Sequence, residues 1–184
     1  GGATATGPGC TVTTESGGQA TFSVVLTSRP IGGSVTINLA SSNTAEGTVS
    51  PSSLTFLSTG SSWSTSQLVT VTGVNDVATP VVDGAVAYTI TTTTSAAGTD
   101  YAGVDGADVS VTNNDNDVAT VTVTQSGGTT AVTEGTGSDS YDVVLGVQPN
   151  GTVTVTVTPD AQVTCDKATL TFTTGNWNVA QTVT

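Results

Sequence analysis

Apolar and hydroxyl-bearing residues alternate along most of the chain. In Phe22-Ser23-Val24-Val25-Leu26 and Val35-Thr36-Ile37-Asn38-Leu39, one side-chain row is apolar and the row between carries Ser, Thr or Asn at most positions. A period of two sends successive side chains to opposite faces of an extended strand, so each segment is predicted to be a strand with one face buried. Phe22, Val24 and Leu26 are expected to face inward, as are Val35, Ile37 and Leu39. The same alternation recurs in Leu54-Thr55-Phe56, Val86-Ala87-Tyr88-Thr89-Ile90 and Val109-Ser110-Val111. Turn-forming clusters separate these runs at Gly17-Gly18, Pro30 to Gly33, Asp83-Gly84, Gly127-Gly128 and Pro149-Asn150-Gly151. No stretch carries a helical period, and the abundant Thr and Val favour a pleated surface over a helix.

The pattern also repeats at long range. Val12-Thr13-Thr14-Glu15, the strand at Phe22 and Arg29-Pro30 are echoed by Ala131-Val132-Thr133-Glu134, Tyr141-Asp142-Val143-Val144-Leu145 and Gln148-Pro149. The strand at Val35 then corresponds to Val153-Thr154-Val155-Thr156-Val157, and Leu54-Thr55-Phe56 to Leu170-Thr171-Phe172. Trp63 matches Trp177, and Val69 matches Val183. The expected division is therefore one complete unit at residues 1–117 and a truncated copy at residues 118–184, without counterparts of the last two strands. About seven short strands per unit, spaced by turns, point to tandem all-β units of the Greek-key or immunoglobulin-like β-sandwich type.

Composition narrows the functional classes. Aromatic residues make up only 4% of the chain and hydrophobic ones 35%, so the core is thin and built mainly from Val, Ile and Leu. Arg29 and Lys167 stand alone against 14 acids, and the net charge of -12 repels nucleic acid and anionic membrane. With only 9% of residues charged, hydroxyls and amides must keep the surface soluble, which fits an extracellular or cell-surface protein. No run approaches the roughly 18 apolar residues of a membrane helix, so no membrane insertion is expected. No basic-then-apolar signal segment opens the chain, which reads as a mature or trimmed product.

Catalysis is not expected. Ser-His-Asp and Cys-His chemistry need an imidazole, and the chain has no His. Paired carboxylates hydrolysing a glycoside need a cleft lined by aromatic platforms, which two Trp and three Tyr scarcely supply. Trp63 and Trp177 hold equivalent repeat positions, so packing is expected of them rather than sugar stacking. Cys10 and Cys165 lack the spacing of zinc or redox motifs. In an end-to-end tandem they lie on the order of tens of ångströms apart, beyond disulfide reach, which leaves an interchain bond or two buried, unpaired thiols. Asn150-Gly151-Thr152 fits both an N-glycosylation acceptor and a hairpin turn. The hydroxyl rows at residues 91–95 and at Thr152, Thr154, Thr156 and Thr158 are candidate acceptors for O-linked sugar or simply solvent-facing strand formers.

Three stretches resemble the Calx-beta family of extracellular β-sandwich repeats found in bacterial surface proteins. These are Val12 to Phe22, Leu54-Thr55-Phe56 to Trp63, and Val69-Thr70-Val71-Thr72-Gly73-Val74-Asn75-Asp76, followed by the acidic end at Asp115 and Asp117. Asn114-Asp115-Asn116-Asp117 is also similar to the linkers of cadherin-type repeats, where neighbouring domains share calcium. The resemblance implies tandem arrangement, an extracellular location and calcium at the ends of units. The candidate ligands are Glu15, Asp76, Asp115 and Asp117, with Glu134 across the junction, since calcium takes 6–8 oxygens. Denser acidic runs of strong calcium-binding members are missing, and turn formation is the competing role of these Asn and Asp residues, as it is for Asp83, Asp100, Asp105 and Asp108. No organic cofactor is implied.

The expected function is structural: a subunit or repeat of an extracellular filament, stalk or matrix fibre, glycosylated on its hydroxyl rows. The alternative is an adhesin that recognises a carbohydrate or protein on a cell surface. The expected partners are copies of the chain itself, through strand complementation or tandem continuation, together with surface glycans. Ala3-Thr4-Ala5-Thr6 is read as the first strand of its own unit and as a poor filler for another.

Overall fold

The computed structural model describes residues 11–76 and 81–184 together with the backbone of residues 3–6. It is all-β, with no α-helix among the described residues. The chain forms two compact units: residues 1–75 with 83–116, and residues 76–82 with 117–184.

The first unit is an immunoglobulin-like β-sandwich. One sheet runs in the order β1 (Ala3–Thr6), β3 (Gln19–Leu26), β7 (Gln67–Gly73), β5 (Gly47–Ser50). The other runs β2 (Thr11–Thr14), β9 (Val109–Asn114), β8 (Ala85–Ser95), β4 (Val35–Ser41), β6 (Ser53–Phe56). The β2–β9 pair is parallel and the others are antiparallel. Inward rows meet between the sheets: Phe22, Val24 and Leu26 of β3 and Val69 and Val71 of β7 pack with Val35, Ile37 and Leu39 of β4 and with Leu54 and Phe56 of β6. The alternation expected for β3 and β4 is thus present. Burying each such side chain contributes about 1.5–3 kcal/mol, so these rows dominate the unit's stability.

Tyr101 closes one end of this core from a loop. It is fully buried, and its phenol donates to the Ser28 carbonyl at 2.6 Å while accepting from the Ser28 amide at 3.1 Å. Asp100 Oδ1 accepts from Ile31 N at 2.8 Å, and Asp108 Oδ1 accepts from Thr92 N at 2.8 Å. These two acids therefore tie loop to loop and loop to strand, in keeping with a turn-forming role. Trp63 is half-buried against the first core and Trp177 against the second, so the paired tryptophans pack.

One hydroxyl row departs from expectation. Thr92 of the 91–95 stretch is buried rather than solvent-facing, and its hydroxyl has no hydrogen-bond partner among the described residues. In β8 it continues the inward row of Tyr88 and Ile90, so position within the strand outweighs its polarity.

The second unit rebuilds part of the same sandwich. β10 (Val121–Gln125), β11 (Tyr141–Leu145) and β14 (Gln181–Val183) form one sheet, and β12 (Val153–Thr156) with β13 (Thr169–Phe172) forms the other. Register is preserved: Tyr141↔Val183 and Val143↔Gln181 repeat Phe22↔Val69 and Val24↔Gln67. Likewise Val153↔Phe172 and Val155↔Leu170 repeat Val35↔Phe56 and Ile37↔Leu54. Val143, Leu145, Leu170, Phe172 and Val183 make a smaller core.

Two facing glycines, Gly47 and Gly73, pair across β5 and β7. A Cβ at Gly47 would collide with the Tyr88 hydroxyl, and one at Gly73 would collide with the Thr14 carbonyl and the Asn113 amide oxygen. Neither has a left-handed backbone, so the requirement is space. Gly47→Ala is expected to destabilise the chain by about 1–3 kcal/mol through overpacking, whereas Gly151→Ala, with nothing within 4 Å of its Cβ position, should stay within about 0.5 kcal/mol of the parent. Urea unfolding of the two variants checks this difference.

Candidate metal centre

The parallel pairing of β2 with β9 brings two acidic strand ends to one level. The register pairs Thr14 with Asn114, so Glu15 and Asp115 emerge side by side. Glu15 N donates to the Asn114 carbonyl at 3.0 Å, and Asn116 N returns a bond to Glu15 Oε2 at 3.1 Å. Asp115 Oδ2 accepts from Gly84 N at 2.9 Å. Carboxylate oxygens of Glu15, Asp115 and Asp117 all lie within 4.8 Å of one another.

Glu15 is buried, while Asp115 and Asp117 are half-buried. At an effective dielectric of ~20, two unit charges at this separation repel by about 3 kcal/mol, and each added carboxylate compounds it. A divalent cation would convert that repulsion into attraction. The donors are all carboxylate oxygens, a hard set that suits calcium or magnesium, and the group contains no Cys or His of the kind that selects zinc or copper. Three carboxylates, two of them directly after β2 and β9, supply part of the 6–8 oxygens calcium takes, with carbonyls and water available for the remainder.

Of the five acids expected to share a cation, the structure groups these three. Asp76 accepts from Val81 N through Oδ2 at 2.9 Å, and its buried Oδ1 makes no hydrogen bond among the described residues. Glu134 is exposed, in a tight turn bridged between Thr133 and Thr136. Neither belongs to the group.

Beneath Glu15 lies a polar network that the alternation pattern did not single out. Asn113 is 1% exposed; its Oδ1 accepts from the Thr13 hydroxyl at 3.0 Å. Its Nδ2 donates to the Val74 carbonyl at 3.0 Å and to Glu46 Oε2 at 3.3 Å. Thr13 Oγ1 also lies 3.2 Å from the Tyr88 hydroxyl. Burial pushes the Tyr88 phenol up, opposed by its hydrogen bond to Thr13 and reinforced by nearby Glu46; with the Thr13 proton committed to Asn113, Tyr88 is the donor to Thr13. Thr13 in turn gives its single proton to Asn113. The chain of bonds locks the ends of β2, β8 and β9 under the carboxylates. Its signal in the sequence is the pair Asn113-Asn114 closing a Val/Thr strand, where a turn reading competes.

The other candidates fall as follows. Asn150, Thr152, Thr154 and Thr156 are all exposed, with half-buried Val153 and Val155 between the threonines. Cys165 is a free, half-buried thiol packed on the second core, and Cys10 lies outside the described residues.

No protein-family model matches the chain, and a search of curated proteins gives no match. Among solved structures it is similar to the periplasmic chaperone SfaE at 10% identity and a TM-score of 0.46, over 78% of this chain and 92% of that one. It is similar to SSP-19, an MSP-domain-like protein of Caenorhabditis elegans, at 18% identity and a TM-score of 0.41, over 62% of this chain and 99% of that one. CBD12 from CALX1.2 matches at 18% identity and a TM-score of 0.41, over 98% of this chain and 74% of that one. Likenesses this distant say nothing of activity; the sandwich rests on the strand pairings themselves.

Asn113→Ala should cost about 1–3 kcal/mol for each polar group it strands, since Thr13 and the Val74 carbonyl both lose a buried partner. Tyr88→Phe, which removes one donor and leaves Thr13 its bond to Asn113, is expected to cost about 1 kcal/mol. Thermal unfolding of both variants beside the parent measures the ratio.

Proposed function

We propose that the chain is a structural repeat module of an extracellular fibre, stalk or matrix, of the Calx-beta-like kind, and not an enzyme. The observation that carries this reading is one repeat folded twice in one register, Phe22↔Val69 and Val35↔Phe56 recurring as Tyr141↔Val183 and Val153↔Phe172. Stacked copies of a β-sandwich serve as spacers because each unit carries its own core and adds length without new chemistry. The absence of His from the sequence supports a non-catalytic role, and the exposed rows at Thr152, Thr154 and Thr156 support a surface that carries O-linked sugar.

Calcium at Glu15, Asp115 and Asp117 belongs to the same proposal. The bound ion would supply positive charge that offsets carboxylate repulsion, and the protein's part is to hold those oxygens on the ends of β2 and β9. A ligand that binds only the folded state adds about 2.7 kcal/mol at a hundredfold excess over its dissociation constant.

Calcium at millimolar concentration should therefore raise the melting temperature by several degrees, an effect chelator reverses and Glu15→Gln with Asp117→Asn abolishes. An unchanged midpoint with no metal in elemental analysis would remove calcium from the proposal. For the fibre, electron microscopy of native material should show regular glycan-coated polymers; dispersed monomers with affinity for glycans would favour an adhesin instead.

A further inference from the structure

Two Asp-Gly pairs lie in the first unit, Asp83-Gly84 and Asp105-Gly106. In such a pair a side-chain carboxyl is followed by an amide with no side chain beside it, so geometry alone decides whether the two groups meet. The structure tells the pairs apart. Gly84 N donates to Asp115 Oδ2 at 2.9 Å, which commits that amide to a different acid. Gly106 N donates to Asp105 Oδ1 at 3.0 Å, which folds the carboxyl of residue 105 back onto the amide that follows it.

Neighbouring acids are held differently. Asp100 and Asp108 spend their Oδ1 atoms on the amides of Ile31 and Thr92, far along the chain. In the second unit Asp139 Oδ1 also accepts from the next amide, Ser140 N at 2.8 Å, but its Oδ2 accepts from Ala131 N and the next residue carries a side chain. That carboxyl is pinned. Asp105 is exposed, and the bond from Gly106 N is the one hydrogen bond of its side chain among the described residues, so the carboxyl can turn its carbon toward the nitrogen. The loop around it is anchored at both ends, by buried Tyr101 on Ser28 and by Asp108 on Thr92 N.

We propose that Asp105-Gly106 is a site of spontaneous aspartyl isomerisation. The Gly106 nitrogen attacks Asp105 Cγ: the N–Cγ bond forms, the Cγ–OH bond of the protonated carboxyl breaks, and the hydroxyl leaves with the amide proton as water. A five-membered succinimide results. Water then adds to one of the two ring carbonyl carbons. Addition at Cγ restores the aspartyl residue, whereas addition at the backbone carbonyl carbon breaks the original peptide bond and leaves the chain running through the side chain as isoaspartyl. One water leaves and one enters, and nothing is oxidised or reduced. The fold supplies proximity, since it holds the reacting groups together at one Asp-Gly pair and apart at the other. Conversion adds one methylene to the backbone between Tyr101 and Asp108, so it slackens the loop that carries the plug of the core. The inference needs neither the fibre nor the calcium reading.

The test incubates the whole 184-residue chain in calcium-free, mildly acidic buffer, once folded and once in urea. Peptide mapping, which separates isoaspartyl from aspartyl peptides of equal mass, is expected to find product at position 105 at least about tenfold ahead of position 83 in the folded chain, and comparable amounts at both in urea. Asp105→Glu, whose ring would need a sixth member, should form none at that position. Asp105→Asn keeps the accepting oxygen and should react faster, releasing ammonia and gaining one mass unit. The isoaspartyl fraction should melt several degrees below the unconverted chain. Equal rates at positions 83 and 105 in the folded chain, product at 105 only in urea, or product that persists in Asp105→Glu would overturn the proposal, and identical melts would overturn the slackening of the loop.

Discussion

The structure depends on one pairing, the parallel ladder between β2 and β9. It covers β9 with β2 as the edge strand of the five-stranded sheet, sinks Thr11 and Thr13 out of water and sets Glu15 beside Asp115. In the second unit the matching segment Ala131-Val132-Thr133-Glu134 is exposed and turns back on itself at Thr133 and Thr136. Strand formation here is a property of the pair, because an extended segment satisfies its N–H and C=O groups only through a neighbour.

That dependence explains what the sequence showed and what it hid. The period-two rows at Phe22 and Val35, the repeat, and the packing role of Trp63 and Trp177 were legible, because each is written in the order of residues along one strand or in the match between two copies. Glu15 and Asp115 could be paired as candidates only through family resemblance; their proximity rests on a parallel register between segments about 100 residues apart, consistent with a separation of 101 for the bond between Asn116 and Glu15. Asn113 was hidden for the same reason. It reads as a turn former, yet it is 1% exposed and bonded to Thr13, Val74 and Glu46 from three other parts of the chain. Tyr101 sits among turn residues, and nothing in its neighbours marks it as the plug of a core. Thr92 carries a hydroxyl of the kind expected at the surface, yet its place in the inward row of β8 buries it.

The thinness of the core sharpens these constraints. With few aromatic residues available, the first unit gains stability from close approach, which is why Gly47 and Gly73 face one another where Tyr88 and Asn113 press in. A side chain at either glycine would separate the sheet from the polar network, and the network in turn holds the strand ends that carry the carboxylates. Apolar packing, buried hydrogen bonds and acidic cluster therefore form one mechanical chain. A defect in the packing layer is therefore transmitted through the hydrogen-bonded network toward the acids.

Only 9% of the residues are ionisable, so neither an exposed sheet edge nor an apolar groove is guarded by the Lys residues that commonly blunt edge strands. In the first unit, pairing protects β4 on both sides. In the second, β12 pairs with β13 alone among the described residues, and its exposed face carries the uncharged hydroxyls of Thr154 and Thr156. In a protein with a net charge of -12, like-charge repulsion disfavours an acidic neighbour along such a strand, so backbone geometry and hydroxyls rather than ion pairs define what its surface offers.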